Sequence, residues 1–107
     1  MWKDDELNEV KIRGHLVWDS ELRVTNAGCP LCQFFLSHKH TRKGHMKSSL
    51  FEVVKFGESA KELSDRLKAG QGVEIEGRLE QDKWEDKEGK VRAKVKIVVS
   101  SIQLFSE

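Results

Sequence analysis

The chain has 107 residues, which is enough for one domain with one modest core. Apolar residues make up 37% of it and charged residues 35%, and the formal net charge of +1 excludes a strong overall attraction for polyanions. No apolar run reaches membrane-spanning length and the amino terminus lacks a signal-peptide core, so we expect a cytoplasmic protein with reduced cysteines.

Charge is nevertheless segregated along the chain. Residues 1–9 hold four acids against Lys3 alone, and we assign no role to Trp2 in this segment. Residues 38–47, HKHTRKGHMK, hold four cations, three histidines and no acid. Any affinity for nucleic acid is therefore expected to come from local basic segments.

The first predicted strand covers residues 8–17, where apolar and charged side chains alternate. Alternation places the apolar set on one face of a half-buried strand. Gly14 predicts a bulge or a sharp bend in this strand. Residues 21–25 predict a short continuation. Trp18 between the two segments is expected in the core or at its rim rather than as a base platform.

The second strand is predicted at residues 32–38 and the third at residues 49–56. Phe35 is expected to point outward on the second strand, because the apolar residues on either side of it share the inward parity. The intervening residues 38–47 carry no apolar alternation, so they predict a polar loop.

One helix is predicted at residues 59–68, where three apolar residues share one face. Ser59 and Glu62 have the spacing of a capping box, in which each side chain satisfies an orphan backbone donor. Gly70 is the expected stop signal after the helix.

Two long strands follow, joined by a turn at residues 86–89. On the last strand cations alternate with apolar residues, so the cations share one face while the apolar set is expected to pack inward. Trp84 stands on the partner strand, with the parity of that cationic face. An indole beside cations is what a single-stranded nucleic acid needs for its bases and its backbone. The cations are Arg92, Lys94 and Lys96, and the apolar set is Ala93, Val95, Ile97 and Val99.

Three strands, a short helix and two long strands are the order of the five-stranded OB-fold barrel. The sequence therefore predicts a single OB-fold domain over residues 1–107, all-β with small α content, and with its helix between strands 3 and 4. No nucleophile–base pair, no pair of acids in a pocket-like context and no phosphate-binding loop is present. We expect neither an enzyme nor a cofactor.

Two cysteines raise an alternative that involves zinc. Cys29 and Cys32 precede three histidines, and zinc accepts thiolate and imidazole ligands. Cys32 is expected in the core, however, and His38 lies about 20 Å further along an extended strand. Cys29 with a loop histidine stays open as a site, but free thiols or a Cys29–Cys32 redox pair are favoured.

Several segments resemble bacterial single-stranded DNA-binding proteins. NEVKIRGHLVWDSELRVT (8–25) resembles the opening of that family, and residues 51–90 resemble its helix, its Ile-Glu-Gly-x-Leu strand and its Lys-Trp-x-Asp-x-x-Gly hairpin. The segment CPLCQFFLSHKH (29–40) resembles the second strand of the primosomal replication protein N family. Members of that family are small dimeric relatives of the single-stranded DNA-binding proteins. The resemblance implies binding of single-stranded DNA without strong sequence specificity, in DNA replication or replication restart at the bacterial nucleoid.

The resemblance also implies partners. A homodimer is expected, with a tetramer as a further possibility, together with a replicative or restart helicase of the primosome. The sequence shows no Gly/Pro/Gln-rich linker and no acidic tip, which favours the primosomal branch. Two alternatives stay open: a tail-less tetrameric single-stranded DNA-binding protein, and an OB module whose sheet face docks another protein.

Many of the candidate site residues follow from the same resemblance, and the others follow from strand parity and from the basic segment 38–47. Trp84 takes the place of a hairpin tryptophan that stacks on bases and Phe56 that of a third-strand aromatic, whereas Leu50 stands where a tryptophan is usual. Phe35 is expected either to stack a base or to fill a dimer interface. These groups are expected on one side of the barrel. The expected nucleic-acid contacts are Trp84, Phe56, Phe35, Lys39, Arg42, Lys43, Lys47, Lys83, Lys87, Lys90, Arg92 and Lys94.

The cations of the last strand also have a purely structural interpretation. Charged rows are most often solvated faces, and acids on the preceding strand offer ion partners across the pair. If the cations are paired in this way, their contact with phosphates is reduced. The candidate acids are Glu74, Glu76, Glu80 and Asp82.

Overall fold

The structure is a computed structural model that describes residues 6–105; Trp2 and the acids Asp4 and Asp5 lie outside this range. Within residues 6–105 no helix is long and apolar enough to cross a membrane. The elements in chain order are β1 (Val10–Leu16), β2 (Glu21–Val24), β3 (Pro30–Arg42), β4 (His45–Phe56), α1 (Ser59–Arg66), β5 (Gly72–Glu85) and β6 (Val91–Phe105).

The strands form a closed ring in the order β1, β5, β6, β4, β3, and β1 pairs again with β3 to complete it. Neighbours are antiparallel except β4 and β6, which run parallel. The short β2 pairs with the start of β3, on the edge that β1 uses further along, so it extends β1 as the sequence predicts. The predicted all-β architecture, with one helix between the third and fourth principal strands, is confirmed.

Gly14 lies where β1 passes from β5 to β3. A Cβ atom at this position would collide with the carbonyl oxygen of Ser37, so the two backbones can approach this closely only because the side chain is absent. The register of β1 on β5 runs without interruption from Val10 to His15. The glycine therefore serves a close crossing of two strands, and the bulge that was one of its two predicted roles is not found.

The ring encloses one apolar core, to which the helix and every principal strand contribute. Phe34 is its largest fully buried side chain, and α1 packs against β2, β3 and β4 through the face that carries Ala60 and Leu63. The core consists of Leu16, Cys32, Phe34, Leu36, Val53, Ala60, Leu63, Leu67, Val73, Ile75, Ile97 and Val99.

The helix has the predicted position but not the predicted cap. It covers Ser59–Arg66, its N-cap is Glu58, and that residue makes no side-chain capping bond. The prediction of a capping box formed by Ser59 and Glu62 is therefore wrong. The first helical amides donate instead to carbonyls three residues back, which is the tighter turn often found at helix ends.

Residues 38–47 form a β-hairpin, so the predicted polar loop is wrong. β3 and β4 stay paired up to Arg42 and His45, and only Lys43 and Gly44 connect them. Both connecting residues have positive φ, 51° and 79°, as in a two-residue type I′ turn. The hairpin extends beyond the core and exposes most of its side chains, so its strands carry none of the apolar alternation that burial imposes.

The β5–β6 hairpin also extends beyond the core. Its turn and its two strands agree with the prediction, and the register runs to Glu85 opposite Val91. Ile97 and Val99 pack inward as expected. Ala93 and Val95 do not, because they lie on the part of β6 that has passed the end of the core, and Val95 is 53% exposed.

Candidate nucleic-acid interface

One face of the sheet, which we call the outer face, gathers the outward side chains of β3, β4, β6 and β5. Residues paired across an antiparallel ladder share a face, so Trp84 lies beside Arg92. The pairing of Val54 with Val98 continues this face onto β4, and the pairing of Val54 with Gln33 continues it onto β3. Along these strands the outer face carries Gln33, Phe35, Lys39, Leu50, Glu52, Phe56, Lys94, Lys96, Asp82, Trp84 and Arg92.

Trp84 and Phe56 were predicted as base platforms and Phe35 as either a platform or a dimer contact, and all three point outward on the outer face. Trp84 is 46% exposed, so its indole has free surface for stacking. Phe56 is partly buried, and the ammonium of Lys96 lies 5.8 Å from its ring centroid, within the range of a cation–π contact. Phe35 is partly buried as well, at the β3 side of the face. The aromatic groups therefore lie on one surface.

The cations of β6 are ion-paired, as the structural interpretation of the sequence anticipated. Arg92 meets a carboxylate at 2.9 Å, Lys94 at 3.1 Å and Lys96 at 3.0 Å. A phosphate that approached them would have to compete with these carboxylates. The three acids are Asp86, Glu52 and Asp82, so only Asp82 belongs to the acids that the sequence offered as partners.

Asp86 organises the turn between β5 and β6. Its Oδ1 accepts hydrogen bonds from the backbone amides of Glu88 and Lys90, both at 2.9 Å. Its Oδ2 accepts a hydrogen bond from Nε–H of Arg92, also at 2.9 Å. The backbone amide of Lys90, followed by the Arg92 side chain, holds the pKa of Asp86 below its usual value because both contacts favour the charged carboxylate. Arg92 is thus engaged in a structural contact.

The remaining predicted cations are distributed over both faces of the two hairpins. Within residues 6–105, six of the predicted contacts have no carboxylate within 4 Å, and Lys90 has only Glu88 at 3.9 Å. Lys39 belongs to the outer face, whereas the ladder places Arg42 on the other face of its hairpin. The expectation that all groups share one side is therefore wrong. The six cations without a carboxylate partner among the described residues are Lys39, Arg42, Lys43, Lys47, Lys83 and Lys87. Like Arg42, Lys47 and Lys83 face away from the outer face, and Lys43 and Lys87 lie in the turns.

Both cysteines are free thiols. Cys32 is fully buried, and burial raises the pKa of its thiol, against a lowering by the Ser20 side chain. Cys29 is partly buried. In the part of the chain that the structure describes, no three His, Cys, Asp or Glu side chains are arranged to hold a metal ion, so the zinc alternative gains no support.

Trp18 is a surface residue that sequence reasoning did not include among the candidate contacts. It is 56% exposed, and its ring meets that of Phe35 edge to face with centroids 5.7 Å apart. Its position at the rim agrees with one of the two predicted places. No periodic signal marks it, because it follows the end of β1 and belongs to no strand.

Comparison with known proteins identifies the family. Residues 7–105 match the sequence model of the Single-strand binding protein family. The "Single-stranded DNA-binding protein" of Treponema pallidum is 35% identical over 104 residues, which cover 94% of this chain and 58% of that protein. The protein of the same name from Aquifex aeolicus is 34% identical over 105 residues, covering 94% of this chain and 71% of that one. The chain thus spans little more than half of the first relative's length.

A solved structure gives the same fold. "Plasmodium falciparum SSB complex with ssDNA" superposes with a TM-score of 0.84 and covers 98% of this chain and 100% of that one, at 18% sequence identity. Identity this low shows the fold alone. The family and the two relatives are named for binding a single strand and not for a reaction, in agreement with the expectation that this chain is not an enzyme. The match across residues 7–105, together with this ring of strands, shows that the chain belongs to the single-strand binding protein family.

Proposed function

We propose that this chain binds single-stranded DNA on its outer face, without strong sequence preference. The observation that carries the proposal is the half-exposed indole of Trp84 on the same face as Phe56. Every base has a π-face, so stacking on aromatic side chains is tolerant of sequence. The names of the two bacterial relatives and the single-stranded DNA in the Plasmodium complex support the same ligand.

The backbone of the strand is proposed to follow the cations that are not engaged with carboxylates. Lys39 lies on the outer face, and Lys43 and Lys87 lie in the turns of the two hairpins that extend beyond the core. A strand that crossed the sheet between the hairpins would have cations near both ends of its path. Arg92 and Lys94 are expected to contribute less to the phosphate contacts, because each is paired with a carboxylate.

A role in DNA replication at the bacterial nucleoid, in the cytoplasm, is the biological setting that we propose. The relatives quoted above are named single-stranded DNA-binding protein. Their names favour a single-stranded DNA-binding protein of the general kind over a member of the primosomal branch. The second candidate is replication restart with a helicase of the primosome as partner. It is supported by the resemblance of residues 29–40 to the second strand of primosomal replication protein N.

We also propose that the chain associates with itself, as a homodimer or a tetramer. The face of the β5–β6 hairpin opposite Trp84 carries three exposed apolar residues, Leu79, Val91 and Val95. Apolar patches of this kind on small domains mark interaction surfaces. Because the patch faces away from the outer face, a partner copy seated there leaves Trp84 accessible to DNA.

Titration with fluorescently labelled oligo-dT tests the proposed function, with a duplex of equal length as the matched competitor. We expect the single strand to bind and the affinity to fall steeply as salt rises, because phosphate contacts release counterions. Equal affinity for duplex and single strand, or no binding at low salt, would contradict the proposal and leave the protein-docking alternative.

A further inference from the structure

Trp18 and Phe35 form a second aromatic platform, at the β3 border of the outer face. The ring planes are nearly perpendicular, at 86°, so the edge of one ring contacts the face of the other. This contact restrains the Trp18 ring while 56% of the residue stays open to solvent. A restrained and exposed indole is ready to stack on a flat ligand at little entropic cost.

The platform borders a shallow cleft whose charged groups already have partners. The residues that line the cleft include Trp18, Asp19, Glu21, Arg23, Gln33 and Phe35. Asp19 accepts a hydrogen bond from the backbone amide of Ala69 at 2.9 Å, and Glu21 accepts one from the guanidinium of Arg23 at 2.7 Å. The carboxamide of Gln33 makes no side-chain hydrogen bond to any other described residue, and it offers both a donor and an acceptor.

We propose that Trp18, Phe35 and Gln33 form a subsite for one unpaired nucleobase. The inference rests on the proposed binding of single-stranded DNA and extends it to a place that the resemblance did not assign. Two carboxylates against one guanidinium leave the cleft with a net negative charge, so it suits a neutral base and disfavours a phosphate. The amide of Gln33 can meet the hydrogen-bonding edge of the base while Trp18 stacks on its plane.

The subsite is continuous with the platform at Trp84. Phe35 pairs across the ladder with Glu52, which contacts Lys94 at 3.1 Å, and Lys94 lies opposite Asp82 on β5. Three strand spacings separate β3 from β5, or about 14 Å. A single strand that crosses the sheet would therefore place one base at Trp84 and another at Trp18.

Fluorescence of Trp18 alone tests the subsite directly. In the full chain with Trp2→Phe and Trp84→Phe, Trp18 is the single indole. We expect oligo-dT to quench its emission, with saturation at the concentration at which a labelled oligo-dT is bound. In the otherwise native chain, Trp18→Ala is expected to weaken binding at least about fivefold, the lower end of a stacking contribution, and Trp18→Phe to weaken it less.

Two controls separate a base contact from other effects. Val24→Ala removes an exposed apolar side chain from the neighbouring β2 outside the cleft, so affinity should not change. Trp18→Ala should leave the salt dependence of binding unaltered, because it removes no charge. With an oligonucleotide that lacks its bases, Trp18→Ala and the native chain should bind equally.

The outcomes distinguish the subsite from the proposed function. If native protein binds oligo-dT but Trp18 emission and the Trp18→Ala affinity are unchanged, the subsite is wrong and the proposed function stands. If the native protein does not bind oligo-dT, both are rejected. If Trp18→Ala alters the mass in solution while affinity per protomer is unchanged, the platform contacts protein and the subsite is again wrong.

Discussion

Trp84 is the residue on which the proposed DNA contact depends most. Its ring stands on the outer face with about half of its surface open. We expect Trp84→Ala to lower the affinity for oligo-dT by about 1–3 kcal/mol for each base that it stacks, and Trp84→Phe to lower it less because a ring remains. Anisotropy of a labelled oligonucleotide measures both, and unchanged affinity of the alanine variant would exclude Trp84 from the site.

Lys39 is the cation whose position best fits a phosphate contact, since it lies on the outer face and has no carboxylate within 4 Å among residues 6–105. Lys39→Gln should reduce the slope of log K against log salt by about 0.7, the value for one contact with a single strand. Lys61→Gln is the matched control, because Lys61 is an exposed lysine on α1, away from the proposed path. Equal effects of the two variants would mean that only net charge matters.

Among the elements, the β3–β4 hairpin holds a lysine in an unfavourable conformation. Lys43 has φ of 51°, in the left-handed region that costs an L-residue about 1–2 kcal/mol and that asparagine adopts more readily. Lys43→Asn should therefore raise the free energy of unfolding by up to about 1 kcal/mol, while the loss of a tip cation weakens DNA binding.

Urea unfolding measures this effect, and the other hairpin supplies its control. Lys87 lies in the β5–β6 turn and is not among the described residues with positive φ, so Lys87→Asn should give no gain in stability. A gain of equal size at both positions would assign the effect to charge. A gain at Lys43 alone would show that a lysine in the left-handed conformation of this turn lowers the stability of the chain.

The β5–β6 turn is expected to depend on pH through Asp86. Its pKa is lowered in the folded chain, so its contribution to stability is complete above the usual carboxyl pKa and is lost as pH falls through the lowered folded value. Asp86→Asn keeps an acceptor oxygen without the charge. We expect the variant to be less stable than the native chain at pH 7, with a difference that shrinks below about pH 4. A difference that is constant across urea titrations from pH 7 to pH 3 would contradict this.

For the whole molecule, the exposed apolar face of the β5–β6 hairpin predicts the oligomeric state. A lysine at its centre would place an ammonium group in the proposed interface without disturbing the core, so Val95→Lys should shift the mass measured by light scattering toward the monomer. Val24→Lys is the matched control, since Val24 is also an exposed valine and lies on β2. If both variants keep the native mass, the hairpin face is not the interface.

Most of the architecture could be predicted because its signals are local. The alternation in β1, the helix between two strands and the turn at residues 86–89 are each visible within a few neighbours. Two of the errors share one cause. The loop predicted at residues 38–47 and the inward packing predicted for Ala93 and Val95 both depend on how far a hairpin extends beyond the core, which no local pattern records.

The sequence alone determined the order of the elements and the outward face of Trp84, because strand parity and turn residues act over short distances. Only the tertiary structure decided which cations are paired with carboxylates. Glu52, for example, contacts Lys94 from 42 positions away in the chain because β4 pairs with β6. The same holds for the contact of Trp18 with Phe35. Both depend on the closure of the ring, which brings together side chains that no spacing in the sequence relates.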